Sequence, residues 1–276
     1  MNEDAAFAGP RLLAVADGMG GHPHGDTASR TAIRTLAGMF AADPAASADP
    51  AVDPAVDLAA GVAAVSARLD ELGRDDPELA GMGTTLTAMA WDGSGFEIAH
   101  VGDCRICLLR AGELHRLTRD YTMAQALAGG GKLAEGGAER PPRGSGPVKA
   151  LRSGGGAEPD FFRHEAEPGD RYLLCSDGVA DYVDPEDVRE TLVRAASPAE
   201  AVTRLLGLAA EAGGQDDATC VVADVVAATR EVPREPLMIG AAREPALFGR
   251  LAGLARRGRR TRRPRRTRRP AAAGRR

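Results

Sequence analysis

Ala14-Val15-Ala16-Asp17-Gly18-Met19-Gly20-Gly21-His22 is an apolar run that ends in a carboxylate and then places three glycines in four positions. It reads as a strand that delivers Asp17 to a sharp turn. Glycines at such a point allow φ > 0 and let the backbone come close to a ligand, while the carboxylate projects from the rigid end of the strand. Two further acidic turns, Ser176-Asp177-Gly178 and Gly214-Gln215-Asp216-Asp217, also sit against apolar runs. Taken singly, Asp before Gly is among the commonest turn pairs and calls for no ligand. The weight lies in their joint occurrence at strand ends.

The rest of the chain sets limits on what such turns can do. Its 276 residues suffice for one large domain or two small ones, and 43% hydrophobic with 27% charged residues is the composition of a globular protein. The net charge of −4 conceals an asymmetry: from position 245 onward there are 13 arginines and no acidic residue, against 22 basic and 39 acidic residues before it. Such an acidic body either repels anions or uses cations to bind them. Met1-Asn2-Glu3-Asp4 has no basic segment followed by an apolar one, so it does not read as a signal peptide. No apolar run approaches the roughly 18 residues needed to span a bilayer. Cys104, Cys107, Cys175 and Cys220 lie in strand-like runs, and residues three apart on a strand face opposite ways, so Cys104 and Cys107 are not a chelating pair. All four are expected to be reduced and buried, in a cytoplasmic protein.

Taken in order, Arg11 to Ala16 reads as a short strand, and the spacing predicts a helix capped by Asp26, with Ala28, Ala32, Leu36, Met39 and Phe40 on one face. Ala41 to Asp57 has no periodicity and reads as a solvated loop. A second helix carries Val62, Val65, Leu69 and Leu72. Thr84 to Trp91, Phe96 to Val101, Arg105 to Arg110 and Glu113 to Leu117 read as an antiparallel meander. A helix from Asp120 to Ala128 is expected next, then a Gly/Pro/charge-rich flap over 129–156. A strand from Arg171 to Ser176, helices over Pro185 to Ala195 and Pro198 to Ala212, and a strand from Ala218 to Val226 complete the body. Runs of antiparallel strands with helices in pairs between them give an α+β class. The expected organisation is a domain over 1–228 and a linker with an Arg/Pro-rich tail over 229–276. That tail is expected to be disordered by self-repulsion and either solvated without a fixed partner or in electrostatic contact with nucleic acid or an anionic membrane, the latter favoured by Leu247, Leu251 and Leu254 on one short helix.

Glu3, Asp4, Asp17, Asp103, Asp177 and Asp216 each stand at a strand end or just before a strand. Six carboxylates in one cleft cannot all stay ionised without cations. Hard oxygen ligands without a Cys or His cluster point to Mg²⁺ or Mn²⁺ rather than zinc. Two such ions sharing a water lower its pKa and hold a phosphate for in-line attack. Arg105 and Arg119 are expected to pair with acidic groups or face solvent.

Asn2-Glu3-Asp4, Val15-Ala16-Asp17-Gly18-Met19-Gly20-Gly21, Gly83-Thr84-Thr85, Val101-Gly102-Asp103-Cys104-Arg105, Leu117-Thr118-Arg119-Asp120, Cys175-Ser176-Asp177-Gly178-Val179 and Gly214-Gln215-Asp216-Asp217-Ala218-Thr219 resemble, in this order, the motif set of the metal-dependent serine/threonine protein phosphatases of the PP2C (PPM) family in its bacterial form. The resemblance runs from Asn2 to about Val226. It implies a four-layer α/β/β/α sandwich of two antiparallel sheets with the metals in a cleft at one end. It also implies hydrolysis of phosphoserine and phosphothreonine in phosphorylated protein substrates by a metal-bridging hydroxide, in a monomer. Asp17 is implied to bridge two catalytic Mn²⁺ or Mg²⁺ ions, with the Gly18 carbonyl as a further ligand. Glu3 and Asp4 complete one metal's surroundings, directly or through water, Asp177 and Asp216 hold the other, and Asp103 shares a third, weaker site with Asp177.

Three departures from the family pattern stand out. The family's N-terminal strand, with a phosphate-binding Arg three residues before Asn-Glu-Asp, has no counterpart before Met1-Asn2. Either the start lies upstream or activity is weakened, and a phosphoprotein-binding pseudophosphatase or an interaction protein working through its tail is the alternative expectation. Met19 follows Asp17-Gly18 and has no proton to donate, which makes His22 the candidate general acid, with His24 or a metal-bound water as alternatives. Asp217 stands where Asn is commoner.

Overall fold

Alternation along each strand decides the layering. The computed structural model describes residues 2–19, 24–40, 57–121, 149–227 and 235–243. In β2 (Leu12–Asp17), Leu12, Ala14 and Ala16 face one apolar cluster and Leu13 and Val15 another. In β10 (Arg171–Cys175), Tyr172 and Leu174 share the second cluster, while Leu173 and Cys175 face a third. Three apolar layers require four layers of structure around them.

The six-stranded antiparallel sheet has the order β12-β1-β2-β4-β5-β9, with β1 (Asp4–Ala8), β4 (Leu86–Trp91), β5 (Gly95–Val101), β9 (Asp160–Glu165) and β12 (Leu237–Gly240). The four-stranded sheet has the order β11-β10-β6-β7, with β6 (Arg105–Arg110), β7 (Glu113–Arg116) and β11 (Cys220–Asp224). A short pair, β3 (Gly83–Thr84) and β8 (Leu151–Arg152), forms a third ladder that meets the end of β2 through a Gly18–Thr84 bridge. Helices α1 (Gly25–Phe40) and α2 (Leu58–Asp75) cover the outer face of the larger sheet through Ala28, Ala32, Ile33, Leu36, Val62, Val65 and Leu69. Helices α3 (Asp177–Ala180), α4 (Pro185–Arg194) and α5 (Pro198–Glu211) cover the outer face of the smaller one. The fold is thus the expected α/β/β/α sandwich.

The helix starts follow from local chemistry. Asp57 accepts the Ala60 N–H at 2.8 Å, and Asp184 and Ser197 cap α4 and α5, each followed by a proline whose missing N–H costs nothing there. Asp26, expected as the cap of α1, instead lies inside its first turn and pairs with Arg30 at 3.3 Å. There its charge faces the positive end of the helix dipole.

Several expectations are corrected. The four-strand meander is split: β4 and β5 belong to the larger sheet and β6 and β7 to the smaller, so Gly102-Asp103 is a crossing between sheets and not a hairpin turn. Gly102 makes that crossing at φ 114°, a conformation that glycine takes readily. The end of the expected flap belongs to the body, where Leu151–Arg152 pairs with Gly83–Thr84. Asp120 and Tyr121 are not helical, and 122–148, the rest of that expected helix and most of the flap, lies outside the described residues. So do most of the loop from Ala41, His22 with its glycines, and the Arg-rich tail. Leu237–Gly240, placed by the sequence in the linker, is an edge strand paired to β1. The described residues belong to a compact unit, Met1–Arg243. None of their helices is long and apolar enough to cross a membrane. All four cysteines are free.

Candidate metal centre

Asp4 and Asp17 stand directly opposite each other in the β1–β2 register. They share the strand face of Ala6 and Val15, which belong to the apolar cluster between the two sheets, so both carboxylates enter the end of that layer. The backbone of Asp17 is held at three points. Its carbonyl accepts from the Thr85 N–H at 2.9 Å and the Thr84 hydroxyl at 2.8 Å, and its N–H donates to Thr85 Oγ1 at 2.9 Å. Gly18 donates its N–H to the Glu3 carbonyl at 3.1 Å. A Cβ on Gly18 would lie 2.3 Å from the Gly25 carbonyl oxygen and 2.7 Å from that of Glu3. Glycine is required here by close backbone packing, and Gly18 has no positive φ. The same Glu3 carbonyl accepts from the Ser29 hydroxyl on α1.

The smaller sheet supplies the opposite wall. Ser176 follows β10 and donates its hydroxyl to Asp4 Oδ2 at 2.8 Å, while its Oγ accepts the Thr219 N–H at 3.1 Å. Asp177 opens α3, and a Cβ on Gly178 would meet the Asp217 carbonyl oxygen at 2.0 Å. Asp217 Oδ2 accepts the Glu3 N–H at 2.7 Å. The residue that departs from the family pattern therefore ties the start of β1 to the Gly214–Asp217 turn. Ser176, Thr219, Thr84 and Thr85 were legible as motif members, but no role for their side chains followed from the sequence.

Charge shows how closely these groups gather. Burial, then the charges of Asp4, Asp177 and Asp103, pushes the Asp17 carboxyl well above its ordinary range. Burial is also the leading cause for Asp4, raised to about 7, for Asp103, raised to about 8 with Asp177 and Asp120 next, and for Asp177, raised to about 6 with Asp216 next. Glu3 is raised by burial, then by Asp26 and Asp217. Asp216 is exposed at the rim and acts on Asp177 and Glu3. The structure thus brings Glu3, Asp4, Asp17, Gly18, Asp103, Asp177 and Asp216 into one cluster.

Divalent cations fit this cluster. Asp177 Oδ1 is buried without a hydrogen-bond partner, a state that costs free energy unless a cation or donor meets it. Among the described residues no three His, Cys, Asp or Glu side chains close on a single ion. That suits Mg²⁺ or Mn²⁺, since Mg²⁺ keeps several waters and takes few carboxylates. Met19 is buried, and His24 lies exposed in the turn before α1, its carbonyl accepting from the Thr27 and Ala28 N–H groups. Arg105 pairs with Asp120 and Asp181, and Arg119 faces solvent, as expected for both.

Residues 1–211 match the family described as Protein phosphatase 2C. The chain is 44% identical over 225 residues to the serine/threonine protein phosphatase PstP of Mycobacterium tuberculosis, a match covering 82% of this chain and 42% of PstP. It therefore spans less than half the length of that relative. Against the protein phosphatase PhpP of Streptococcus pneumoniae it is 30% identical over 212 residues, 77% of this chain and 85% of PhpP. The crystal structure of Mycobacterium tuberculosis PstP/Ppp is similar with a TM-score of 0.72 at 41% identity, covering 82% of this chain and 93% of that one. A PstP catalytic domain in complex with two manganese ions is similar with a TM-score of 0.68 at 40% identity and the same coverage. Fold, motif order and identity agree: the chain belongs to the protein phosphatase 2C family.

Proposed function

We propose that the chain hydrolyses phosphoserine and phosphothreonine in proteins, using Mn²⁺ or Mg²⁺ held by its strand-end carboxylates. The observation that carries the reading is the buried, unpartnered Asp177 Oδ1 beside Asp17 and Asp4. The names of the relatives support the substrate class, and the manganese complex of PstP supports the cofactor.

Asp17, Asp177 and Asp216 would hold one ion, Asp17 and the Gly18 carbonyl the other with Glu3 and Asp4 around it, and Asp103 with Asp177 a third. When bound, the ions supply an activated water as nucleophile, without a covalent phosphoenzyme, and the positive charge that holds the phosphate. The chain's own part is to fix the carboxylates: Thr84 and Thr85 set Asp17, Ser176 orients Asp4, and Asp217 anchors Glu3. His22 is the proposed proton donor to the leaving alkoxide. A leaving group that needs no proton tests this: His22→Ala should slow a phosphothreonine peptide and spare p-nitrophenyl phosphate.

Purified protein with Mn²⁺ should release phosphate from a phosphothreonine peptide and lose that activity in EDTA. Mn²⁺ and phosphopeptide binding without turnover would instead make the chain a phosphoprotein-binding module.

A further inference from the structure

Four carboxylates surround the point where the chain crosses between the sheets, and one guanidinium divides them. The charges acting on Asp103 are, in order, those of Asp177, Asp120 and Asp181. Arg105, two residues after Asp103, reaches back into this group. Its Nε donates to Asp120 Oδ1 at 3.2 Å and Oδ2 at 3.1 Å, and its Nη2 to Asp120 Oδ2 at 2.8 Å and Asp181 Oδ1 at 3.1 Å. Its Nη1 donates to the Ala180 carbonyl at 2.7 Å. The Asp120 side chain is 0% exposed and takes a second arginine, Arg116, from β7. Asp120 and Asp181 are therefore neutralised within the protein, whereas Asp177 keeps an unpartnered oxygen.

The same contacts fix geometry. Helix α3 is a single turn, too short to hold itself. Its first residue is Asp177, and its last carbonyl, that of Ala180, accepts from Arg105. Next to Asp120, the Tyr121 N–H donates to the Gly102 carbonyl at 2.9 Å, fastening the crossing that carries Asp103. One fork thus grips the far end of the Asp177 turn and the segment that steadies Asp103. A lysine has the charge but not the planar set of donors.

We propose that Arg105 is a positioning residue of the metal centre: it withdraws Asp120 and Asp181 from cation binding and sets the Asp103 and Asp177 carboxylates against each other. The proposal rests on the metal-site reading above. It assigns Arg105 no contact with phosphate.

The test compares Arg105→Lys and Arg105→Ala with Arg110→Ala. Arg110 lies at the other end of β6 and makes a two-point pair with Asp170, Nε to Oδ1 at 2.8 Å and Nη2 to Oδ2 at 2.7 Å. Its loss removes a similar ion pair away from the carboxylate cluster. Mn²⁺ binding to the metal-stripped full chain is followed by calorimetry, and melting temperature is recorded in EDTA. Removing a group that orients metal ligands typically weakens affinity about 10-fold or more. Arg105→Lys should show that weakening, or loss of the weakest binding event, with Arg105→Ala lower still, and Arg110→Ala should bind as wild type at a comparable loss of melting temperature. Wild-type Mn²⁺ affinities and stoichiometry in folded Arg105→Lys would overturn the proposal. So would equal weakening in Arg110→Ala, which would reduce the effect to general stability. Failure of the wild-type chain to bind Mn²⁺ would instead sink the metal-site reading itself.

Discussion

Asp4 on β1 and Asp17 on β2 are direct cross-strand partners, and both enter the end of the layer between the sheets. Like charges directly opposite on a sheet repel, by roughly 0.2–1 kcal/mol for an ordinary pair. A sequence that keeps two carboxylates there invites a cation between them.

That pairing makes Asp17→Asn act in opposite directions on stability and activity. Without metal and near pH 8, Asp17→Asn should stabilise the fold by up to about 1 kcal/mol, since one repelling charge is gone. With Mn²⁺, its turnover should fall by more than about 100-fold, beyond the usual cost of losing a residue that only supports a ligand. Urea denaturation in EDTA and phosphate release check the two halves separately.

A pH dependence follows from Asp4, Asp103 and Asp177, whose carboxyls are raised from 3.8 to about 7, about 8 and about 6. The folded, metal-free protein binds these protons more tightly than the unfolded chain. Their stabilisation is complete below the unfolded value and is lost as pH rises from about 4 to about 8. Metal-stripped protein should melt at a lower temperature near pH 8 than near pH 5, and Mn²⁺ should raise the midpoint more at the higher pH. A midpoint in EDTA that climbs towards pH 8 would contradict this.

Ser176 links the two walls, donating to Asp4 and accepting from the Thr219 N–H. Ser176→Ala leaves that buried N–H unpaired, at a cost of about 1–3 kcal/mol. It also takes one donor from Asp4, so Mn²⁺ affinity should drop about 10-fold. The denaturation midpoint and the Mn²⁺ titration report these effects independently.

The edge strand gives a prediction about where the folded body ends. Leu237–Gly240 pairs with Ala5 to Ala8, Ala241 and Ala242 are buried, and Arg34 donates to the Ala242 carbonyl at 2.8 Å. A chain ending at Arg243 should keep the wild-type melting temperature. One ending at Ala227 should melt several degrees lower, because β1, which carries Asp4, loses its outer neighbour. Equal melting temperatures would show that β12 contributes nothing.

The turns that carry the chemistry were legible because each is local: an apolar strand, a carboxylate just beyond one of its ends, a glycine close by. The helices of the smaller sheet were legible for the same reason, with Asp184-Pro185 and Ser197-Pro198 marking their starts. Sheet membership was not. A period of two says that Phe96 to Val101 and Arg105 to Arg110 are strands, but not that Gly102 passes the chain from one sheet to the other. β9 was missed because its edge position leaves Asp160, Arg163, His164 and Glu165 among its six residues, without the alternation of a buried strand. β12 was hidden by its four-residue length in a Pro/Glu/Arg-rich context. Arg105 and Asp120 lie fifteen positions apart, and nothing local shows that they meet. Asp17 was read as a flexible glycine turn, whereas Gly18 serves close packing against Gly25 and Glu3.

The central claim is that carboxylates from both sheets hold the cations that make this chain a phosphatase. Its most direct test is a Mn²⁺ titration of metal-stripped wild type and Asp17→Asn, with hydrolysis of a phosphothreonine peptide measured on the same samples. The account predicts Mn²⁺ binding with turnover in wild type and the loss of both in a folded Asp17→Asn. Full turnover with unchanged Mn²⁺ affinity in Asp17→Asn would contradict it.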